Sequence, residues 1–118
     1  MTTYDIECIE NAKKIIDADI SRHFTISDIA QQVTLGSTKL KEAFKKHYGK
    51  GLYTYLKEAR MKKAMELIVN TQKTSKEIAI DVGFKHCNNF ITAFSKHHGY
   101  SPVQARKKYS KLLINPFA

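Results

Sequence analysis

Two stretches, STKLKEAFKK from Ser37 and CNNFITAFSK from Cys87, concentrate side chains able to hydrogen-bond to patterned polar edges. If each is helical, Leu40, Ala43, Phe44 and His47 share one face of the first, and Phe90, Ala93, Phe94 and His97 one face of the second. Thr38, Lys41, Glu42 and Lys45 then point away from the first face; Cys87, Asn88, Ile91, Thr92 and Ser95 point away from the second. Against base pairs, Asn makes two hydrogen bonds to adenine, Lys reaches guanine and Glu accepts from cytosine, while Thr or Ile packs on the thymine methyl. Neither stretch contains arginine, the residue most used for guanine, so the second is expected to favour A·T-rich sequence. The plainer reading makes these the solvated sides of two surface helices.

Other chemistries fit poorly. His86-Cys87 and His97-His98 lack the spacing of a metal site and a partner pair, and His47 and His97 read as packing residues. There is no glycine-rich phosphate loop, no ordered Ser-His-Asp set and no paired carboxylates, so neither catalysis nor a cofactor is expected. Cys8 and Cys87 stand far apart without a CxxC pattern, which fits a reduced, cytoplasmic protein. Twenty Lys and Arg against eleven acids give a formal charge of +9, suited to a polyanionic partner. Lys39, Lys45, Lys46, Lys50, Lys62, Lys63, Lys85 and Lys96 flank the two polar faces and can reach phosphates. A membrane surface is the weaker alternative, because no helix is one-sidedly basic and no apolar run approaches the ~20 residues of a span. The first twenty residues mix acids with apolar side chains, unlike a signal peptide.

The elements that must hold these faces are written twice. TISDIAQQV (Thr25–Val33) lies over TSKEIAIDV (Thr74–Val82), and AFKKHYG (Ala43–Gly49) over AFSKHHG (Ala93–Gly99). In the first copy, Thr25 or Ser27 caps a short helix with Ile29, Ala30 and Val33 at helical spacing. TLGS breaks it, with Gly36 relaxing the backbone and Ser37 offering a new cap, and the following helix stops at Gly49. The second copy repeats this plan through GFKH to Gly99. Two short helices around a tight turn make a helix-turn-helix unit.

Flanking segments complete an all-α architecture of about seven helices. The N-terminal segment carries Ile6, Ile9, Ile16 and Ile20 at helical spacing, with Ile15 beside them. LYTYLKEARMKKAMELIVN forms a long central helix from about Tyr53 to Asn70, with Leu56, Ala59, Met61, Ala64, Leu67 and Ile68 mostly inward. SPVQARKKYSKLL starts with a serine cap and Pro102 in the first helical position. The apolar tail LLINPFA either packs on the domain or ends a fragment.

From about Phe24 to Lys107 the chain resembles the DNA-binding domain of AraC/XylS-family transcription regulators. The likeness lies in ISDIA, LKEAFKKHYG and LKEARMKKAMELI, and above all in SKEIAIDVGFKHCNNFITAFSKHHGYSP. It implies two helix-turn-helix lobes joined by a long helix: residues 1–51 as N-terminal helix and first lobe, 52–71 as connector, and 72–118 as second lobe and C-terminal helix. Thr38, Lys41 and Glu42 match the family's base-reading positions in the first lobe, and Cys87, Asn88 and Thr92 those in the second. Successive major-groove faces lie about 34 Å apart, and a connector of about 18 residues spans roughly 27 Å. One chain would therefore read two successive grooves. Gly36-Ser37 and Gly51-Leu52 depart from the family pattern, as does Ala105, where an aromatic is usual. The implied partners are double-stranded DNA and RNA polymerase, in the bacterial cytoplasm at the nucleoid. The chain is expected to be a monomer as it stands, and a dimer where a further domain accompanies it. It is either a small regulator or the end of a longer one. The alternative is a helical protein-interaction module that keeps the fold without specific DNA binding.

Overall fold

The computed structural model describes residues 1–114, with side chains through Tyr109. Among them are seven helices and no strand: α1 (Thr3–Ala18), α2 (Ile26–Val33), α3 (Ser37–Tyr48), α4 (Leu52–Asn70), α5 (Ser75–Asp81), α6 (Cys87–His98) and α7 (Pro102–Ile114). The side chains of the LLINPFA tail, and all of residues 115–118, lie outside the described residues. The chain divides into two compact units, Met1–Glu58 and a second beginning at Ala59, so the division falls inside α4. No described helix is long and apolar enough to cross a membrane.

In unit 1, α1 packs against both α2 and α3. Its buried stripe is Asp5, Cys8, Ile9, Ala12 and Ile16, at steps of three and four. The expected stripe began at Ile6 and ran to Ile20. Instead the helix ends at Ala18, where Asp19 turns extended, and Ile6 is only half-buried. Against α1 lie Ile29, Ala30 and Val33 of α2, then Leu40, Ala43 and Phe44 of α3, with Leu52 and Leu56 of α4 closing the core. Unit 2 repeats the plan with Ile78, Ala79 and Val82, then Phe90 and Phe94, against Met61, Ala64 and Ile68 of α4 and Ala105 of α7. Burying one such aromatic or aliphatic side chain contributes about 1.5–3 kcal/mol.

One helix thus serves both cores. Leu52 and Leu56 are four apart, and Met61, Ala64 and Ile68 follow steps of three and four. From Leu56 to Met61 the step is five, so no single stripe runs the length of α4. Ala59 and Leu67, expected inward, are half-buried. In α7, Ser101 accepts from the Gln104 N–H at 3.1 Å and Gln104 accepts from the Ser101 N–H at 2.8 Å. That reciprocal pair fixes the serine cap with Pro102 behind it.

The two helix-turn-helix turns differ in their strain. Gly36 was expected to relax the first, yet its φ is an ordinary −62°. The left-handed residue there is Thr34, φ 56° and ψ 45°, and its counterpart in the second turn is Gly83, φ 96°. A β-branched residue is strained in this region because Cβ crowds the following carbonyl, at a cost of about 1–2 kcal/mol. Tyr4 of α1 braces the turn: its hydroxyl donates to the Thr34 carbonyl at 2.7 Å and lies 2.7 Å from Thr34 Oγ1. Exchanging the two residue types should therefore act unequally. Gly83→Thr is expected to lose about 1–2 kcal/mol. Thr34→Gly should stay within about 0.5 kcal/mol of neutral, because strain relief is offset by glycine's freedom in the unfolded chain. Urea midpoints of the two variants check the pair, and an equal loss in both would refute the strain at Thr34.

Candidate nucleic-acid interface

The polar faces are held by what lies beneath them. Phe44 and Phe94 are fully buried, each stacking on the residue four positions later in its helix. The Phe44–Tyr48 ring centroids are 4.6 Å apart and the Phe94–His98 centroids 4.4 Å. His47 and His97, expected on the packing face, are exposed instead. Helical spacing alone places both on the buried stripe, four beyond Ala43 and Ala93; in the last turn it is instead the next residue, Tyr48 or His98, that packs on the phenylalanine. His98 Nε2 donates to the Met61 carbonyl at 3.1 Å, tying α6 to α4 within unit 2. In unit 1, Tyr55 packs edge-on to Phe44 at 5.8 Å and donates to Asp17 at 2.6 Å. Unit 2 has Ala105 at the position corresponding to Tyr55. There Arg106 ties α7 down by donating to the carbonyls of Ile68 at 3.3 Å and Thr71 at 3.2 Å.

On α3, Thr38, Lys41, Glu42 and Lys45 are all exposed, brought together over two helical turns. On α6, Asn88 and Thr92 are exposed and Cys87 is half-buried in the first turn. Thr92 Oγ1 donates to the Asn88 carbonyl at 3.0 Å. Its proton is thus committed, and its methyl group and lone pairs are what it offers outward. Ile91, expected outward, is instead half-buried and packs against the unit 2 core. Its side chain extends the apolar face around the helix, where a large aliphatic group gains more from burial than from solvent.

The lysines divide into two groups. Lys39 pairs with Asp5 at 3.4 Å, Lys63 with Glu66 at 3.6 Å, and Lys50 with Glu58. Lys45, Lys46, Lys62, Lys85 and Lys96 are exposed, and no carboxylate pairs with them among the described residues. Lys45, Lys46 and Lys96 also sit in the last turns of α3 and α6, where a cation is favoured by the helix dipole in any case. Asp5 is the one buried charge among the described residues, 4% exposed. The Thr2 backbone N–H holds its carboxyl below the usual carboxylate range; burial opposes this and Lys39 reinforces it. Its burial follows from its place at the start of the α1 stripe, hidden in the sequence by its charge. Glu42 shares a depression with Asp5, Lys39 and Lys46, so two ammonium groups offset the two carboxylates there.

Side-chain caps mark four of the helix starts, whereas α4 begins after Gly51, which has no side chain to cap with. Thr2, Thr25 and Thr74 cap α1, α2 and α5 through their side chains, and Ser101 with Gln104 does so for α7. At α3 and α6 the capping positions are Gly36 and His86, and neither supplies a side-chain hydrogen bond. Ser37, expected to cap α3, is its first helical residue, one position too late. The first-turn N–H groups of both polar-faced helices therefore stay available to an outside acceptor. Sequence reading missed Lys76, which lines a depression with Lys85, His86, Cys87 and Asn88. Its only signal was a lone lysine in a short helix.

A family model described as a helix-turn-helix domain matches residues 29–108. The lactose operon transcription activator of Staphylococcus xylosus is 31% identical over 104 residues, which cover 88% of this chain and 37% of that protein. The chain thus spans little more than a third of that curated relative. Among solved structures, the C-terminal domain of the two-component response regulator yesN from Fusobacterium nucleatum is 37% identical. It superposes with a TM-score of 0.77, over 82% of this chain and 95% of that one. An AraC-type regulator from Chromobacterium violaceum shares the fold at TM-score 0.80 and 23% identity, over 93% and 98%. The DNA-binding domain of AdpA, solved with a target DNA, shares it at 0.81 and 16%, over 93% and 97%. Two buried-aromatic cores, each presenting an uncapped polar helix, thus agree with the model and the superpositions: this chain belongs to the AraC/XylS-type helix-turn-helix family.

Proposed function

We propose that the chain is the sequence-specific DNA-binding part of a bacterial transcription regulator, and that it acts in the cytoplasm at the nucleoid and is not an enzyme. In this reading α3 and α6 enter successive segments of the major groove, with residues 52–71 as the connector between lobes 1–51 and 72–118. Thr38, Lys41 and Glu42 read bases for the first lobe and Cys87, Asn88 and Thr92 for the second. Lys39, Lys45, Lys46, Lys50, Lys62, Lys63, Lys85 and Lys96 hold phosphates, and contact with RNA polymerase follows at the promoter. The observation that carries the reading is the duplicated exposed face on two helices without side-chain caps. Such a helix offers base-reading side chains and free backbone donors at the same end. The testing experiment is a gel shift with genomic fragments, using the unaltered chain and the Lys41→Ala and Asn88→Ala variants. Sequence-selective binding that the variants lose supports the reading; absence of binding at every salt concentration favours a protein-interaction module.

The charge makes a second prediction. If about six phosphates are neutralised, log Kobs should fall against log salt with a slope near −5. A slope near zero would show that the basic surface is not the binding surface. The lysines already paired with Asp5, Glu58 and Glu66 must exchange a carboxylate for a phosphate, so their contribution to affinity should be smaller than that of Lys45, Lys46 or Lys85.

A further inference from the structure

Beside α3 in unit 1 runs a groove that the base-reading scheme leaves unused. Ile26 of α2, Lys41 and Lys45 of α3, and Leu52, Tyr53 and Thr54 of α4 line it. No carboxylate lines it among the described residues, unlike the depression on the other flank of α3, where Asp5 and Glu42 sit with Lys39 and Lys46. Its charge is therefore purely positive, and its floor is apolar. Tyr53 stands out in it: 60% of this large side chain is exposed, although its neighbours Leu52 and Leu56 are in the core. An exposed phenol sharing a groove with two lysines suits a ligand that alternates an apolar ring with an anion. A sugar–phosphate strand has that character.

We propose that this groove seats one strand of the DNA backbone, with Lys41 and Lys45 at successive phosphates and the Tyr53 ring against the intervening deoxyribose. The proposal rests on the DNA-binding reading above and revises it in one respect. Lys41 turns to the strand, leaving Thr38 and Glu42 as the base readers of the first lobe.

The repeat sharpens the inference. Counting from the matched glycines Gly49 and Gly99, the counterparts of Lys41, Lys45 and Tyr53 are Ile91, Ser95 and Val103. Val103 is as exposed as Tyr53, at 59%, but the three together carry no charge. Strand anchoring through this groove is thus a property of unit 1 alone, and unit 2 must reach phosphates from other positions, such as Lys85 and Lys96. Two copies of one scaffold have taken different shares of the work.

The test measures binding of the whole chain to a mixed-sequence duplex and to a selected site, by fluorescence anisotropy across a salt series. Tyr53→Ala is expected to weaken both about tenfold, as one lost contact of ordinary strength does, leaving their ratio unchanged. Tyr53→Phe, which keeps the ring, should retain most of the affinity. Joint Lys41→Ala and Lys45→Ala substitution should make the salt slope shallower by about 1.8. The matched Val103→Ala should leave mixed-sequence binding as it is. Thermal melting confirms that each variant is folded. Unaltered binding by Tyr53→Ala and by the double lysine variant overturns the groove while leaving the DNA-binding reading intact. A Tyr53→Ala loss confined to the selected site also overturns it, because Tyr53 would then touch a base. Failure of the unaltered chain to bind any duplex refutes the function itself, and the groove falls with it.

Discussion

Replacing Phe94 with alanine is expected to destabilise unit 2 by about 3–5 kcal/mol, the usual cost of emptying a buried aromatic site. The side chain is fully buried, with ring centroids 5.8 Å from Phe90 and 4.4 Å from His98. Three consequences add up. Apolar area is lost, the cavity lies between α5, α6 and α4 where rigid helices relax little, and the His98 ring loses the surface it stacks on. A unit of this size holds only a few kcal/mol in reserve, so the variant should be largely unfolded at ambient temperature. Phe44→Ala should act alike in unit 1, where Tyr48 and Tyr55 lose their shared partner. Urea denaturation followed by circular dichroism measures both losses. Lys96→Ala, in the same helix on its exposed side, should shift stability by less than about 0.5 kcal/mol. A Phe94→Ala loss under about 1 kcal/mol would mean that α6 is not anchored through this ring.

Asn88→Ala should produce the largest change in sequence discrimination. Asn88 is exposed at the start of α6, and its side-chain amide can offer a donor and an acceptor together to adenine. Losing such a bidentate contact costs about 1–3 kcal/mol of discrimination, roughly five- to 150-fold in affinity for the selected site. Mixed-sequence affinity should barely move, because an amide neutralises no phosphate. Equal weakening on every sequence would show that Asn88 touches the backbone instead. Randomised-site selection with the unaltered chain makes the companion measurement. A·T-rich sequence is expected opposite unit 2, where α6 carries Asn88 and the outward methyl of Thr92 and no arginine. A G·C-rich core there would contradict the assignment.

Much of the fold was legible in the residue pattern because helices are locally determined. Apolar residues at steps of three and four, threonines before Asp28 and Glu77, and glycines at 49 and 99 each mark an element with short-range physics. The duplication then made each copy a check on the other. The polar faces were legible for the same reason: once Leu40, Phe44, Phe90 and Phe94 are inward, Thr38, Glu42, Asn88 and Thr92 are outward by geometry alone. The errors fell where a position is decided by a neighbour in space. His47 and His97 fall on the apolar stripe by spacing, and only the aromatic stacks of Tyr48 and His98 show which residue of the last turn packs. Ile91 reads as outward by spacing, but the width of the unit 2 core takes it in. Ser37 looked like a cap because capping depends on one residue's φ and ψ, which no composition reveals.

By itself, the sequence determined an all-α chain, its duplicated helix-turn-helix units, its basic character and the polar faces of α3 and α6 around Thr38, Glu42, Asn88 and Thr92. These follow from period, cap chemistry and charge, all of which act over a few residues. Only the tertiary structure decided that α4 gives Leu52 and Leu56 to one core and Met61, Ala64 and Ile68 to another. It alone showed Asp5 buried beneath Lys39, Thr34 strained and braced by Tyr4, and Tyr53 standing exposed in a groove that Lys41 and Lys45 also line. Each of these joins residues distant along the chain, and the energy of burial, of a brace or of a shared field depends on separation in space rather than in sequence.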